Sequence, residues 1–392
     1  MTRAVDVEPH AGAADPEVLR TRDRRRRRVR ALILAVVVVL AAGVVLAVRP
    51  LFGPPDFDGP GTGSVIIQVR DGATTTQIGA TLERAGVVRS TEAFTEAASD
   101  EQRIRSVQPG FYQLRSRMSG ESAVALLLDP AARVGRLEIR GGVQLDDTSS
   151  PDGTVVPGVL TLISRATCAQ LDGAPNCVPA DELRAAMADT DPADLGVPDW
   201  ALADVRDADP RRRLEGLLVP GLYDVRPGSS AADVLRGVVS SSADRLAASG
   251  LVAGAQEVGY TPYEVLTVAS LVEKEGITAD MPKVARVIYN RLGIRQRLEL
   301  DSMVNYPLDI QALRTTAQAR AQDGPYNSYR RTGLPPTPIA APGRDAVAAA
   351  IGPAEGSWLF FVRCQTDGTS CFGNSLGEHQ ANVRSAIANG AF

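Results

Sequence analysis

The chain has 392 residues, 44% of them hydrophobic and 22% charged, with a formal net charge of −4. That length supports two or three domains with cores of their own, and the acidic balance argues against nucleic acid as a partner, although the charge is unevenly placed. With two histidines, His10 and His379, and four cysteines at no zinc-like spacing, composition also excludes a histidine or cysteine metal cluster.

Residues 1–30 read as a disordered cytoplasmic tail ending in RTRDRRRRRVR. Next comes ALILAVVVVLAAGVVLAV, residues 31–48, with no charged or strongly polar group. A helix of that length spans roughly 27 Å, enough for a bilayer core. A signal peptide has a shorter apolar core and a small-residue cleavage site, and a buried core helix is a weaker reading still. The run is therefore read as a single-pass anchor in the cytoplasmic membrane. The arginine cluster then sits inside and everything after Arg49 outside. Read alone, the same cluster resembles a DNA-binding tail; its position against the apolar run favours topology.

The linker LFGPPDFDGPGTG covers the end of 49–63, and 64–135 reads as a small α/β module. SVIIQV is a strand, TTTQIGATLERAG and TEAFTEAASD are helices, GFYQLRS is a returning strand, and SAVALLLDP closes the module as a helix. Residues 136–230 form an intermediate region, with strands at RLEIRGG and GTVVPG, a polar loop at DTSSPDG and a helix at ADELRAAMADT. From 231 to 392 helices dominate: AADVLRGVVSSSADRLAAS, TPYEVLTVASLVEKEG and MPKVARVIYNRL. A loop-rich stretch and a hairpin, WLFFVRC to TSCFG, follow. The fold class is α+β. Cys168, Cys177, Cys364 and Cys371 all follow the anchor and allow three connectivities. The Asp367-Gly368 turn would set Cys364 opposite Cys371, which favours the local pairs 168–177 and 364–371 and an oxidising compartment.

The chemistry concentrates in LTVASLVEKEG, residues 266–276. Thr261-Pro262-Tyr263-Glu264 is a helix start with a capping box, and Gly276 is a stop. With Val268 at 0° and about 100° per residue, Val272 falls near 40° and Glu275 near −20°, whereas Glu273 falls near 140°. Glu275 thus shares the apolar face, in the last turn, where desolvation and the helix dipole both raise a carboxyl pKa. A glutamic acid kept protonated near neutral pH is what a general acid requires. The competing reading is a frayed helix end with Glu275 in water. Glu273 faces away and is expected to pair with a neighbour such as Arg291. Lys274 is one of only two lysines, with Lys283.

LTVASLVEKEG resembles the signature of the MltG/YceG-like endolytic murein (peptidoglycan) transglycosylase family. VIYNRL followed by RLELDSMVNY, GPYNSYRRTGLPPTPIAAPG, WLFFV, and the Phe372, Ser375, His379 spacing with Glu378 beside it extend the likeness across 260–392. The resemblance implies that Glu275 is the catalytic residue of a membrane-anchored lytic transglycosylase. Such an enzyme cleaves MurNAc–GlcNAc bonds of nascent glycan strands and leaves 1,6-anhydroMurNAc ends, which terminates strand elongation. It needs neither metal nor cofactor. It also implies a LysM-like region before the catalytic part, glycan strands and the cytoplasmic membrane as partners, and peptidoglycan synthases as further candidates. Asp301 would orient the sugar or tune Glu275, or serve as a cap. Asn327, Ser328 and Tyr329 would bind acetamido groups or bond their own loop. Ser375, Glu378 and His379 would line the cleft or hold structure. A peptidoglycan-binding scaffold without activity is the alternative. The chain departs from the family where relatives read EG-x-x-x-PDTY: here Glu215-Gly216 leads to Pro220-Gly221-Leu222-Tyr223, without the aspartate. Gln380 follows Glu378-His379 where an asparagine is common, and 147–180 has no counterpart.

Overall fold

The computed structural model describes residues 36, 37, 39 and 53–392, apart from 172, 311–314 and 392. It divides into two units, 1–56 and 57–392. The tail predicted over 1–30 and the anchor over 31–48 lie outside the described residues, except for Val36, Val37 and Val39, which are helical. Among the described residues no helix is long and apolar enough to cross a membrane.

In the second unit, strand Thr62–Val69 pairs antiparallel with Gly110–Ser116, Ile67 opposite Tyr112 and Val69 opposite Gly110. Helices Thr75–Arg84 and Thr91–Ser99 lie between these strands, and Gly120–Leu127 follows them. Each helix begins where the sequence offers a hydroxyl: Thr74, Ser90 and Ser119 accept the amide three residues on. Ile67, Leu82, Phe94 and Leu114 fill the core between them. This is the strand, two helices, strand, helix order expected. The two-residue strand Arg133–Val134, too short to show a period, adds a third member beside Gly110–Ser116.

A second core begins at Arg136. Strand Arg136–Ile139 pairs antiparallel with Gly221–Asp224, Leu137 opposite Tyr223. Between them the chain makes helices Val159–Thr167 and Ala180–Asp189, and a disulfide joins Cys168 to Cys177. Helix Pro262–Glu275 is the central element. Thr261 and Glu264 form the expected capping box, and the helix packs against Leu251–Val258, Met281–Gly293 and Arg344–Ile351. Every residue from Val265 to Val272 is buried. The expectation of a one-sided apolar helix is corrected here: Thr267 and Ser270, which read as polar, return their hydroxyls to the carbonyls of Tyr263 and Thr267 and so tolerate burial.

At the C-terminal end Phe360–Arg363 pairs with Ser370–Gly373, Phe361 opposite Phe372. A disulfide joins Cys364 to Cys371, so both local pairs form. The turn is longer than the two residues expected: Cys364 N–H donates to the Thr369 carbonyl, leaving Gln365–Gly368 as the loop. Helix Leu376–Ala388 closes the chain. It escaped the sequence reading because it buries only Ala386 and so lacks an apolar stripe.

Candidate active site

Glu275 is the last residue of the central helix, and its side chain is half-buried. Ser302 Oγ donates to Glu275 Oε1 at 2.5 Å. Burial pushes the Glu275 pKa up and the charge of Asp301 adds to that. The Ser302 hydrogen bonds and the Lys274 ammonium pull the other way, and the net shift is upward. The structure therefore gives this carboxyl group an environment that favours its protonated form.

Ser302 is delivered by the short helix Asp301–Asn305. Its first residue, Asp301, is clamped by Arg320 through Nε at 3.1 Å and Nη2 at 2.8 Å. Asp301 also accepts from the Tyr329 hydroxyl at 2.8 Å and the Thr315 amide at 3.2 Å. The Arg320 guanidinium lies 4.7 Å over the Tyr329 ring. A forked guanidinium on a carboxylate fixes the plane of that carboxylate.

Glu273 behaves differently from the sequence expectation. It does not pair with Arg291, which spends its guanidinium on the carbonyls of Leu359, Arg297 and Leu298 and lies near Glu299. The Glu273 carboxylate instead accepts the Gly343 amide at 2.9 Å. It fills a cradle of glycines, and a Cβ added at Gly141 would stand 2.4 Å from Glu273 Oε1. Burial raises its pKa too, with the Gly343 amide opposing. The helical-face argument placed Glu273 away from the neighbours of Glu275, but the helix end is enclosed on both sides. The two glutamates differ in what they touch.

Lys274, between them in sequence, is half-buried. Its Nζ donates to the Gly142 carbonyl at 3.2 Å, and burial lowers its pKa against the fields of Glu215, Glu275 and Glu273. Glu215 is the group that sequence reasoning missed. It is 1% exposed and accepts the Leu145 amide at 3.1 Å and the Tyr306 hydroxyl at 3.0 Å. Burial pushes its pKa up to about 7, against those two donors and nearby Arg212. One carboxylate inside LEGLLVP was the available signal, because a charge in an apolar run needs partners from elsewhere. Gly216 follows at φ +75°, and a Cβ there would stand 2.4 Å from Pro338 Cβ, so the turn demands glycine.

Of the other expected residues, Tyr329 joins the acid through Asp301. Asn327 and Ser328 line the cavity that opens beside Met303, and their side chains also hold their own loop. Asn327 donates to the carbonyls of Ala319, Arg320 and Gln322, and Ser328 exchanges hydrogen bonds with the backbone of Leu300. Both are buried and hold the loop that carries Tyr329. Ser375 caps the last helix by accepting the Glu378 amide, and Glu378 accepts the Asn374 amide. His379 stacks on Phe360 at 5.2 Å, and burial lowers its pKa. Among the described residues no hydrogen bond, ion pair or ring contact links Ser375, Glu378 or His379 to Glu275. A cavity of about 290 Å³ opens beside Met303, between it and the loop residues Arg331, Leu334 and Pro336. Among the described residues no group of three or more His, Cys, Asp or Glu is placed to hold a metal.

The fold and site define an α+β protein whose central helix ends in two carboxyl groups with raised pKa, of which Glu275 is held by a serine beside Asp301, a carboxylate locked in an ion pair. Residues 67–385 match the model of the YceG-like family, and the chain belongs to that family. It is 28% identical over 330 residues to the endolytic murein transglycosylases of two Streptococcus pneumoniae strains, covering 81% of this chain and 58% of each relative. The chain thus spans little more than half the length of those relatives. With the endolytic murein transglycosylase of Bacillus subtilis it shares 26% identity over 344 residues, 87% of this chain and 89% of that protein. A solved YceG-like protein of Listeria monocytogenes has the same fold, with a TM-score of 0.53 at 23% identity over 82% of this chain and 99% of that one.

Proposed function

We propose that the protein is a membrane-anchored endolytic lytic transglycosylase of peptidoglycan, with Glu275 as its acid and base. The observation that carries this reading is the raised Glu275 carboxyl group, held by Ser302 in a chain of the YceG-like family. Protonated Glu275 gives its proton to the oxygen between N-acetylmuramic acid and N-acetylglucosamine as the C1–O bond breaks. The resulting carboxylate takes the proton of the muramoyl 6-hydroxyl, whose oxygen closes on C1 to form the 1,6-anhydro ring. No water is consumed, so one cycling carboxyl group serves where glycoside hydrolysis ordinarily uses two. Asp301, fixed by Arg320 and Tyr329, contributes negative charge near the positive sugar of the transition state. The segment 31–48 anchors the chain with its N-terminus in the cytoplasm and its catalytic part outside. There it meets nascent strands and their synthases, and the module at 64–135 serves as a LysM-like region.

The test is to incubate the full chain, in detergent, with uncrosslinked glycan strands and examine the products by mass spectrometry. New internal cleavage with 1,6-anhydroMurNAc ends is the expected result. Reducing ends that have gained water contradict the transglycosylase step, and binding without cleavage supports the scaffold reading.

A further inference from the structure

A second cleft, of about 420 Å³, lies between strand Arg136–Ile139 and helix Val159–Thr167. Its floor is apolar, formed by half-buried Val143, Val156 and Leu162, and its rim carries Arg136, Arg140 and Arg165. Arg140 pairs with Glu138 at 3.1 Å. Among the described residues Arg136 and Arg165 make no ion pair or side-chain hydrogen bond. Two uncompensated guanidiniums over an apolar floor suit a ligand with a small apolar body and free carboxylates, because the guanidinium fork matches a carboxylate edge.

The position of the cleft narrows the choice of ligand. One wall belongs to segment 147–180, which had no recognisable counterpart in the family's sequence pattern. The other wall continues through Arg140 into Gly141, Gly142 and Val143, the segment gripped by the acid helix. Lys274 donates to the Gly142 carbonyl at 3.2 Å, Glu273 fills the space over Gly141, and Ala341 donates to the Val143 carbonyl at 2.8 Å. The cleft and the acid therefore share one stretch of backbone.

We propose that this cleft binds the peptide branches of the glycan strand: short acidic peptides with alanine side chains and free carboxylates, attached to the muramoyl sugar. Alanine methyl groups lie on the Val143 and Leu162 floor, and Arg136 and Arg165 take the carboxylates. The proposal rests on peptidoglycan being the substrate, but its test does not require cleavage. The probe is a synthetic muramoyl pentapeptide ending in D-Ala-D-Ala, titrated calorimetrically against the full chain in neutral detergent.

The expected result is saturable binding. Arg136→Ala/Arg165→Ala weakens it about tenfold or more, as loss of two charge-assisted contacts implies, and Arg136→Lys/Arg165→Lys partly restores it. Both arginines are exposed, and circular dichroism establishes that the variants remain folded. Equal affinity in wild type and the alanine variant overturns the proposal, as does no binding by wild type. So does an alanine variant that loses only attachment to vesicles containing anionic phospholipid, which would make the cleft a membrane contact. On active protein, the ratio of cleavage rates for peptide-bearing over peptide-stripped strands should exceed one and fall toward one in the alanine variant. Absence of cleavage from both substrates counts against the transglycosylase reading, whereas the calorimetric result still decides the cleft.

Discussion

Glu275 and Glu273 stand two residues apart at one helix end, and burial raises both pKa values. What separates them is the identity of their partners. Glu273 holds a backbone amide inside a glycine cradle, whereas Glu275 meets a rotatable hydroxyl and a neighbouring negative charge. Proton donation by Glu275 should fail as pH rises through its raised pKa, giving the rate profile its alkaline limb. Ser302→Ala removes a donor that favours the carboxylate form, so that limb should move to higher pH. Lys274→Met removes a favourable positive charge and should move it the same way. A pH–rate series on the two variants checks this, and a limb that moves downward in either contradicts the stated electrostatics. That Glu275 would be drawn out of water at the helix end was legible from 3.6-residue periodicity, but the enclosure of Glu273 on the other side was not. The roles of Ser302 and Glu215 were not, since each depends on a partner distant in sequence.

At the scale of elements, Glu215 ties together two segments that reach the acid. It takes the Leu145 amide just beyond the Gly142 carbonyl held by Lys274, and the Tyr306 hydroxyl next to the helix that carries Ser302. Its pKa is about 7 against an ordinary 4.5, so between those values the folded chain holds a proton that the unfolded chain has released. Stability contributed by that proton is full below about pH 4.5, declines as pH rises, and is lost above about 7. Glu215→Gln keeps an acceptor for both donors and removes the titration. Its unfolding free energy should therefore decline less between pH 5 and 8 than that of wild type, by about 2.5 kcal/mol. Denaturant melts at the two pH values measure this, and parallel declines would show that Glu215 does not titrate in that window. The local signals were the readable ones: the Thr261–Glu264 box, the helices over 231–248 and 281–293, and the terminal hairpin. The pairing of Arg136–Ile139 with Gly221–Asp224 was not readable, because strands some eighty residues apart share no local pattern.

At the scale of the whole molecule, the second unit has two hydrophobic cores, one under the first sheet and one around the acid helix. Helix Pro262–Glu275 has no exposed face along most of its length, so its start and stop fix where its terminal carboxyl group emerges. Thr261→Ala removes the hydroxyl that caps this helix and should cost about 1 kcal/mol of stability. Catalytic rate at a temperature well below unfolding should be largely kept, because the cap lies at the opposite end from Glu275. Thermal melts and initial rates on one preparation check both parts, and a proportionate loss of rate without loss of stability would mean that the cap reaches the site. The central claim is that Glu275, and not Glu273, carries the proton. The most direct measurement compares the rate of 1,6-anhydro end formation by wild type, Glu275→Gln and Glu273→Gln on the same glycan strands. Glu275→Gln should lose at least about a hundredfold and Glu273→Gln should keep most of the rate; equal losses, or the reverse order, would contradict the account.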